Sequence, residues 1–144
     1  MTKNPAILFV CTGNTCRSAM AEAMWRVMGH SRVGSAGVSA WSGLSAAAHA
    51  QEAVLHYGAS LKEHRARDLA LVDEDYDLVL TMTHSQYQGV LKARPAWSGK
   101  TYLLTEFVGE SGDVVDPLGQ DFAAYQATAK EIHTLLQKLK EVLA

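Results

Sequence analysis

The sequence predicts an α/β fold: a single three-layer domain with a four-stranded parallel sheet and helices on both faces. Apolar runs of strand length alternate with segments of helical period, a pattern typical of a parallel sheet covered by helices. The chain has 144 residues, the size of one ordinary domain, and its sequence contains no repeat, low-complexity tract or linker. We therefore expect one domain over residues 1–144.

Strands are predicted near residues 6–10, 32–37, 77–81 and 101–104. Two segments of helical period follow the first two strands. The first has apolar residues on one helical face: Met20, Met24, Val27 and Met28. The second has a similar face: Ala47, Ala50, Val54 and Tyr57. Gly29 and Gly58 follow these segments and favour a helix end, so both are interpreted as crossover helices.

The last segment is predicted to be a long amphipathic helix. Its apolar residues recur every three or four positions: Phe122, Tyr125, Ala129, Ile132, Leu136, Leu139 and Leu143. We interpret this stripe as packing on the sheet, with docking to a lipid surface or a partner as the alternative. The segments 38–45 and 105–121 are interpreted as the longest irregular ones. Ligands of such folds bind where loops gather beyond the carboxyl ends of the strands.

Composition argues against several classes of partner. The chain has 13 Lys and Arg against 15 Asp and Glu, with no block of like charge, so we expect neither a nucleic acid nor a membrane partner. The apolar run 6–10 is too short for a signal peptide or a membrane span. We expect a cytoplasmic monomer. Two cysteines in a reducing compartment argue against a structural disulfide, and two thiolates do not complete a zinc site.

Residues 11–18, CTGNTCRS, leave the first strand and lead directly into a helix. Five residues separate Cys11 from Arg17, which lets the loop curl into a ring with inward-pointing backbone N–H groups. Gly13 can take the positive φ that the curl needs. Asn14 also tolerates such a φ and can brace the loop with its amide. Because arginine can grip two oxygens of a phosphate, the pattern predicts a phosphate-binding loop.

Cys11 begins this ring, so its sulfur is expected beneath a bound phosphorus atom. The inward N–H groups, the helix dipole and Arg17 favour the thiolate, and Ser18 can donate a hydrogen bond to the sulfur. Such a thiolate can attack phosphorus in line and form a cysteinyl-phosphate. The alternative, that Cys11 simply ends a buried strand, does not explain the glycine, asparagine and arginine that follow. The triphosphatase loop G-x-x-x-x-G-K-[ST] is absent from the sequence.

Asp116, in GDVVDPLGQ, is predicted to protonate the leaving atom. Pro117 restricts the backbone around it, and the segment follows the last predicted strand, at the sheet edge where the loop lies. Asp113 is the second candidate for this acid. Either aspartate can instead be a turn residue.

Four further residues have two interpretations each. Ser35 and His64 can hydrogen-bond the loop from beneath and fix its asparagine, or they are ordinary turn and surface residues. Cys16 can trap an oxidised Cys11 as a reversible disulfide, or it is a small buried residue. Trp41 can form a wall of the site entrance, or it belongs to the surface or the core.

With these motifs the chain resembles the low-molecular-weight protein phosphatases over its whole length. The shared segments are CTGNTCRS at 11–18 followed by Met20-Ala21-Glu22, SAG at 35–37, HRAR at 64–67, DLVLTMT at 77–83 and DP at 116–117. The resemblance implies a compact α/β fold with a four-stranded parallel sheet. It also implies an enzyme that removes phosphate from phosphorylated proteins, releases inorganic phosphate and needs no metal or other cofactor.

The resemblance further implies the roles of the site residues. Cys11 is then the nucleophile, Arg17 the phosphate clamp, and Asp116 the acid and afterwards the base for the hydrolytic water. Substrate contacts are expected from Thr12, Gly13, Asn14, Thr15, Cys16, Ser18, Trp41 and Leu118. Structural support is expected from Asn14, Ser18, Ser35 and His64.

Thr15 carries the information about the substrate. Tyrosine-directed members of that family usually have an aliphatic residue there, whereas the protein-arginine phosphatases of bacteria resemble this chain, with CTGNTCRS in full. The hypothesis is therefore a protein-arginine phosphatase, with a protein-tyrosine phosphatase as the alternative. Ala19 stands where the family commonly has proline, and Leu118 where it commonly has an aromatic residue. A thiol-dependent arsenate reductase and a non-catalytic phosphate binder are the remaining alternatives.

Overall fold

The structure is a computed structural model that describes residues 4–144. Its four strands are β1 (Ile7–Cys11), β2 (Val33–Gly37), β3 (Leu78–Thr81) and β4 (Thr101–Leu103). All strand pairs are parallel, and the strand order is β2-β1-β3-β4. The predicted four-stranded parallel sheet is therefore confirmed, with strand ends close to those that the sequence predicted.

The helices are α1 (Arg17–Val27), α2 (Ala48–Leu55), α3 (His84–Ala93), α4 (Leu104–Phe107) and α5 (Phe122–Leu143). The predicted helices correspond to α1, α2 and α5. Gly29 and Gly58 follow α1 and α2 with positive φ angles of 103° and 74°, as expected of glycines at helix ends. Short 3₁₀ helices occupy Leu69–Leu71 and Pro95–Lys100.

Helix α3 was not predicted from the sequence, and the segment 105–121 was predicted to be irregular although α4 ends within it. Helix α3 buries only two side chains, Gln86 and Val90, so it has no apolar stripe that periodicity could detect. The beginning of α3, however, has a recognisable sequence signal. The Thr83 hydroxyl accepts the Gln86 N–H, and the Gln86 side chain accepts the Thr83 N–H, which is a capping box.

Strand β1 shows how the sheet separates two layers of core. All five of its residues are buried because helices cover both faces. Ile7, Phe9 and Cys11 belong to the cluster formed with α1, α2 and α5. Leu8 and Val10 belong to the cluster on the opposite face, where α3 packs. The predicted three-layer arrangement is confirmed.

The carboxyl end of β1 is the point where the chain changes direction along the sheet. The chain passes from β1 to β2 on one side, and later to β3 on the other. In open α/β sheets a ligand binds outside the carboxyl ends of the strands at such a point. Cys11 is the last residue of β1, so the predicted phosphate loop begins there. Within residues 4–144, none of the helices has the length and apolar character needed to cross a bilayer.

Gly37 pairs with Cys11 across the sheet and permits a close approach of the backbones. A Cβ atom at Gly37 would lie 2.3 Å from the carbonyl oxygen of Thr12 and 2.9 Å from Cβ of Ala40. We therefore expect Gly37→Ala to lower the free energy of unfolding by about 1–3 kcal/mol, measured by urea denaturation. Gly99→Ala is the matched control, because a Cβ at Gly99 meets no atom within 4 Å. Equal midpoints for the two variants would contradict the steric argument.

Candidate active site

Residues 11–18 curl around the sulfur of Cys11 at the carboxyl end of β1. The Asn14 N–H donates to Cys11 Sγ at 3.3 Å, and Ser18 Oγ lies 2.9 Å from the same sulfur. Asn14 has a φ of 57°, the single non-glycine residue with positive φ among residues 4–144. Of the two residues that the sequence suggested for this φ, Gly13 and Asn14, Gly13 does not take it. A Cβ at Gly13 would instead meet Thr15 Oγ1 at 3.8 Å.

Asn14 is fully buried, and all of its side-chain polar atoms have partners. Its Nδ2 donates to Ser18 Oγ at 2.8 Å and to Ser35 Oγ at 2.9 Å. Its Oδ1 accepts the Arg67 N–H at 2.9 Å, and its main-chain carbonyl lies 2.6 Å from His64 Nε2. The predicted contacts of Ser35 and His64 with the loop asparagine are therefore present in the structure.

The Asn14 amide donates to the hydroxyls of Ser18 and Ser35 and so determines where the protons of these two hydroxyls point. Ser35 accepts from Asn14 and donates to Glu22 Oε1 at 2.5 Å. Ser18 also accepts from Asn14, so its proton is available either to Cys11 Sγ at 2.9 Å or to the Ala36 carbonyl at 3.5 Å. The shorter contact is the one to sulfur. With the Asn14 N–H, this gives the Cys11 sulfur two hydrogen bond donors.

Arg17 and Asp116 meet on the other side of the loop. Arg17 is 5% exposed, and its Nη1 donates to the Val114 carbonyl at 3.0 Å. Its Nη2 lies 3.4 Å from Asp116 Oδ2. The other carboxylate oxygen of Asp116 accepts the Leu118 N–H at 3.0 Å, which holds the carboxylate on its own turn. Asp113, the second candidate for the acid, instead accepts the His84 N–H at the beginning of α3.

A cavity of about 130 Å³ lies between these groups. It is lined by Cys11, Thr12, Gly13, Asn14, Thr15, Cys16, Arg17, Asp116 and Leu118. Ser18, Ser35 and His64 contact the loop but do not line the cavity. Trp41 does not line it either, and its side chain is 80% exposed in the loop after β2, so the structure does not support a wall formed by Trp41.

Cys16 is 6% exposed and belongs to the core cluster on the α1 side of the sheet. Burial raises the pKa of its thiol to about 12; the charges of Cys11 and Asp116 act in the same direction, and Arg17 opposes them. Cys16 is therefore a neutral thiol near neutral pH. Both cysteines are free in the structure, and the disulfide between them stays a prediction.

Several groups at the site were not identified from the sequence. Most of them are main-chain atoms: the Arg67 N–H on Asn14 and the Val114 carbonyl on Arg17. Another is Gln86, whose Nε2 donates to Thr12 Oγ1 at 3.0 Å. Main-chain groups have no sequence signal, whereas Gln86 has one in its capping box. Among the described residues, no three His, Cys, Asp or Glu side chains cluster as a metal site would require.

Residues 6–144 match the family described as low molecular weight phosphotyrosine protein phosphatase. The chain belongs to this family. It is therefore, by family, a phosphoprotein phosphatase. It is 38% identical over 143 residues to a protein-arginine-phosphatase of Bacillus subtilis, with 95% of each chain covered. It is 36% identical over 136 residues to the low molecular weight protein-tyrosine-phosphatase PtpB of Staphylococcus haemolyticus, covering 93% of this chain and 96% of the relative.

Solved structures of the phosphatase family have the same fold. The arginine phosphatase YwlE, in a Cys-to-Ser mutant with a phosphorylated active-site serine, has a TM-score of 0.87 at 38% identity, covering 94% of this chain and 93% of its own. The tyrosine phosphatase Wzb of Escherichia coli K30, in complex with sulphate, has a TM-score of 0.87 at 28% identity, covering 96% of this chain and 97% of its own. The fold therefore does not distinguish the two substrates.

The two cysteines are expected to differ in reactivity. In the Cys11→Ser variant of the phosphatase, iodoacetamide at pH 8 should leave Cys16 unlabelled, because burial, the largest cause of its raised pKa, does not depend on Cys11 and keeps the thiol neutral. Labelling should increase as the pH rises towards 12, and guanidinium chloride should permit it at pH 8. The measurement is the intact mass after timed reaction. Rapid labelling of the folded variant at pH 8 would contradict the assignment of Cys16 as a buried neutral thiol.

Proposed function

We propose that this phosphatase removes phosphate from arginine side chains of proteins through a cysteinyl-phosphate on Cys11. The observation that supports the proposal most strongly is that Cys11, Arg17 and Asp116 line one small cavity together with Thr15. We further infer that the enzyme works as a single-domain monomer in the cytoplasm.

In the first step, the Cys11 thiolate attacks phosphorus in line and the P–N bond of phosphoarginine breaks. The sulfur takes the phosphoryl group, and the departing guanidino nitrogen takes a proton from Asp116. Arg17, whose Nη2 lies 3.4 Å from that carboxylate, binds the phosphoryl oxygens. The hydrogen bonds of Ser18 and Asn14 to sulfur stabilise the thiolate before attack.

In the second step, a water molecule attacks the cysteinyl-phosphate and the S–P bond breaks. Asp116, now a carboxylate, accepts a proton from that water, and inorganic phosphate leaves. The Cys11 thiolate is regenerated, and the same two donors again stabilise its charge. Asp116 is 46% exposed at its side chain and sits on the rim of the cavity, where both the leaving nitrogen and the incoming water can reach it.

Thr15 supports arginine as the substrate side chain. It lines the cavity, and its carbonyl is fixed by the Ala47 N–H at 2.9 Å. A hydroxyl in this wall can accept a hydrogen bond from a guanidino N–H group, whereas an aliphatic side chain would favour an aromatic ring. Leu118, which also lines the cavity, is 66% exposed and provides no ring for stacking. Both observations favour a guanidino group over a phenol.

Phosphotyrosine is the second candidate substrate. The observation that favours it is the equally close fold match to tyrosine phosphatases such as Wzb. The cavity and Cys11 can act on phosphoarginine and on phosphotyrosine alike. The preference between the two substrates therefore depends on the other residues that line the cavity, Thr15 and Leu118.

The substrate is tested by kcat/KM on a phosphoarginine peptide and on a phosphotyrosine peptide of the same sequence. We expect a preference for phosphoarginine, and we expect Thr15→Ile to shift the ratio towards phosphotyrosine by about tenfold or more, because a hydrogen bond to a charged group is lost. Thr15→Ser keeps the hydroxyl and should retain the arginine preference. A wild-type preference for phosphotyrosine would refute arginine as the substrate, and a ratio unaffected by Thr15→Ile would refute the role of Thr15.

The nucleophile is tested with Cys11→Ser, whose hydroxyl is slightly smaller than the thiol, can make hydrogen bonds and is not ionised near neutral pH. We expect kcat to fall on the order of a thousandfold or more, with the Kd for inorganic phosphate close to that of the wild type. Phosphopeptide turnover and calorimetric titration with phosphate measure the two quantities. Wild-type protein that binds phosphate without turnover would favour the non-catalytic binder.

A further inference from the structure

Gln86 links helix α3 to the phosphate loop. Its side chain is 2% exposed although it is polar. Its Oε1 accepts the N–H groups of Met82 and Thr83, both at 3.0 Å. Its Nε2 donates to Thr12 Oγ1 at 3.0 Å, across 74 positions of sequence. One buried amide therefore joins the end of β3, the beginning of α3 and the second residue of the loop.

The orientation of this amide is determined by its partners. The Met82 and Thr83 N–H groups are donors only, so only the amide oxygen can face them. A flipped amide would leave two backbone N–H groups without an acceptor. Gln86 consequently presents its NH₂ group, and never its oxygen, to Thr12.

This contact also determines how the Thr12 hydroxyl can hydrogen-bond to other groups. The oxygen accepts from Gln86, so its own proton is not used in that bond. Thr12 lines the cavity beside Cys11 and Arg17. Phosphoryl oxygens are acceptors, and the free proton of Thr12 is a donor of the kind they require.

We infer that Gln86 is a positioning residue, which holds the Thr12 hydroxyl as a hydrogen bond donor to a phosphoryl oxygen bound in the cavity. The inference rests on the proposed function in one respect, that a phosphate group binds beside Cys11. It does not depend on whether the phosphate comes from arginine or tyrosine, because the bond is to the phosphoryl group. Thr12 then contributes to phosphate affinity, and Gln86 acts through Thr12.

The variant Gln86→Glu changes the orientation of the Thr12 hydroxyl while leaving the fold of α3 intact. The carboxylate keeps an oxygen for the Met82 and Thr83 N–H groups, so the cap of α3 is retained. Its second oxygen replaces Nε2, and the Thr12 proton is drawn towards it and away from the cavity. We expect the Kd for inorganic phosphate and the KM for a phosphopeptide to rise on the order of tenfold, the effect of losing one hydrogen bond to a charged group. We expect kcat to change little, since the bond is made to bound substrate and transition state alike.

Two further variants serve as controls. One tests the effect of the added negative charge, and the other tests whether Gln86 acts through the Thr12 hydroxyl. Gln88→Glu adds the same charge to the same helix at an exposed side chain that contacts His84, and it should leave phosphate affinity unchanged. Thr12→Val removes the hydroxyl and should itself weaken phosphate binding on the order of tenfold. In the double variant, Gln86→Glu should add no further loss, because the group on which it acts is gone.

The measurements are calorimetric titration with inorganic phosphate, steady-state kinetics on one phosphopeptide, and thermal unfolding of every variant. Wild-type phosphate affinity in Gln86→Glu or in Thr12→Val would overturn the inference, and so would losses that multiply in the double variant. The phosphatase proposal would survive each of these results. A wild-type protein that neither binds phosphate nor hydrolyses phosphopeptides would overturn the proposed function, and this inference with it.

Discussion

The left-handed backbone of Asn14 is the constraint on which the rest of the active site depends. A non-glycine residue at a φ of 57° is strained by about 1–2 kcal/mol. Four hydrogen bonds to Ser18, Ser35, Arg67 and His64 contribute about 0.5–1.5 kcal/mol each, which outweighs the strain. The loop is therefore held in its ring before any phosphate enters, and binding energy is not needed to form it.

The buried charge of Arg17 is balanced only in part. Its Nη1 has a neutral partner, the Val114 carbonyl, and its Nη2 lies 3.4 Å from a half-exposed carboxylate of Asp116, a weak pair in the presence of solvent. Removing a guanidinium from water without a full counter-charge is unfavourable. A phosphoryl dianion would supply that charge. The residual positive potential of Arg17 thus favours substrate over the empty cavity, while the hydrogen bonds to the Cys11 sulfur stabilise a neighbouring thiolate.

The sequence predicted the parts of the site that are contiguous in the chain. Cys11 to Ser18 form one loop, so their residue types and spacing carry the chemistry directly. The partners that hold the loop come from distant segments, and several are main-chain atoms that every residue possesses. By residue type either Gly13 or Asn14 can take the positive φ, and Asn14 takes it because four partners hold it there. Helix α3 buries too few apolar side chains to be detected by periodicity, and Gln86 was missed with it.

The register of β2 on β1 connects the fold to the chemistry. Phe9 pairs with Ser35 and Cys11 with Gly37, so Ser35 lies on the same face as Phe9, towards α1. There its hydroxyl receives the Asn14 amide and donates to Glu22. A slip of one residue would turn Ser35 to the α3 side and leave one Asn14 donor buried without an acceptor. Strand pairing more than twenty residues away in sequence therefore determines whether the loop can hold its ring around the Cys11 sulfur.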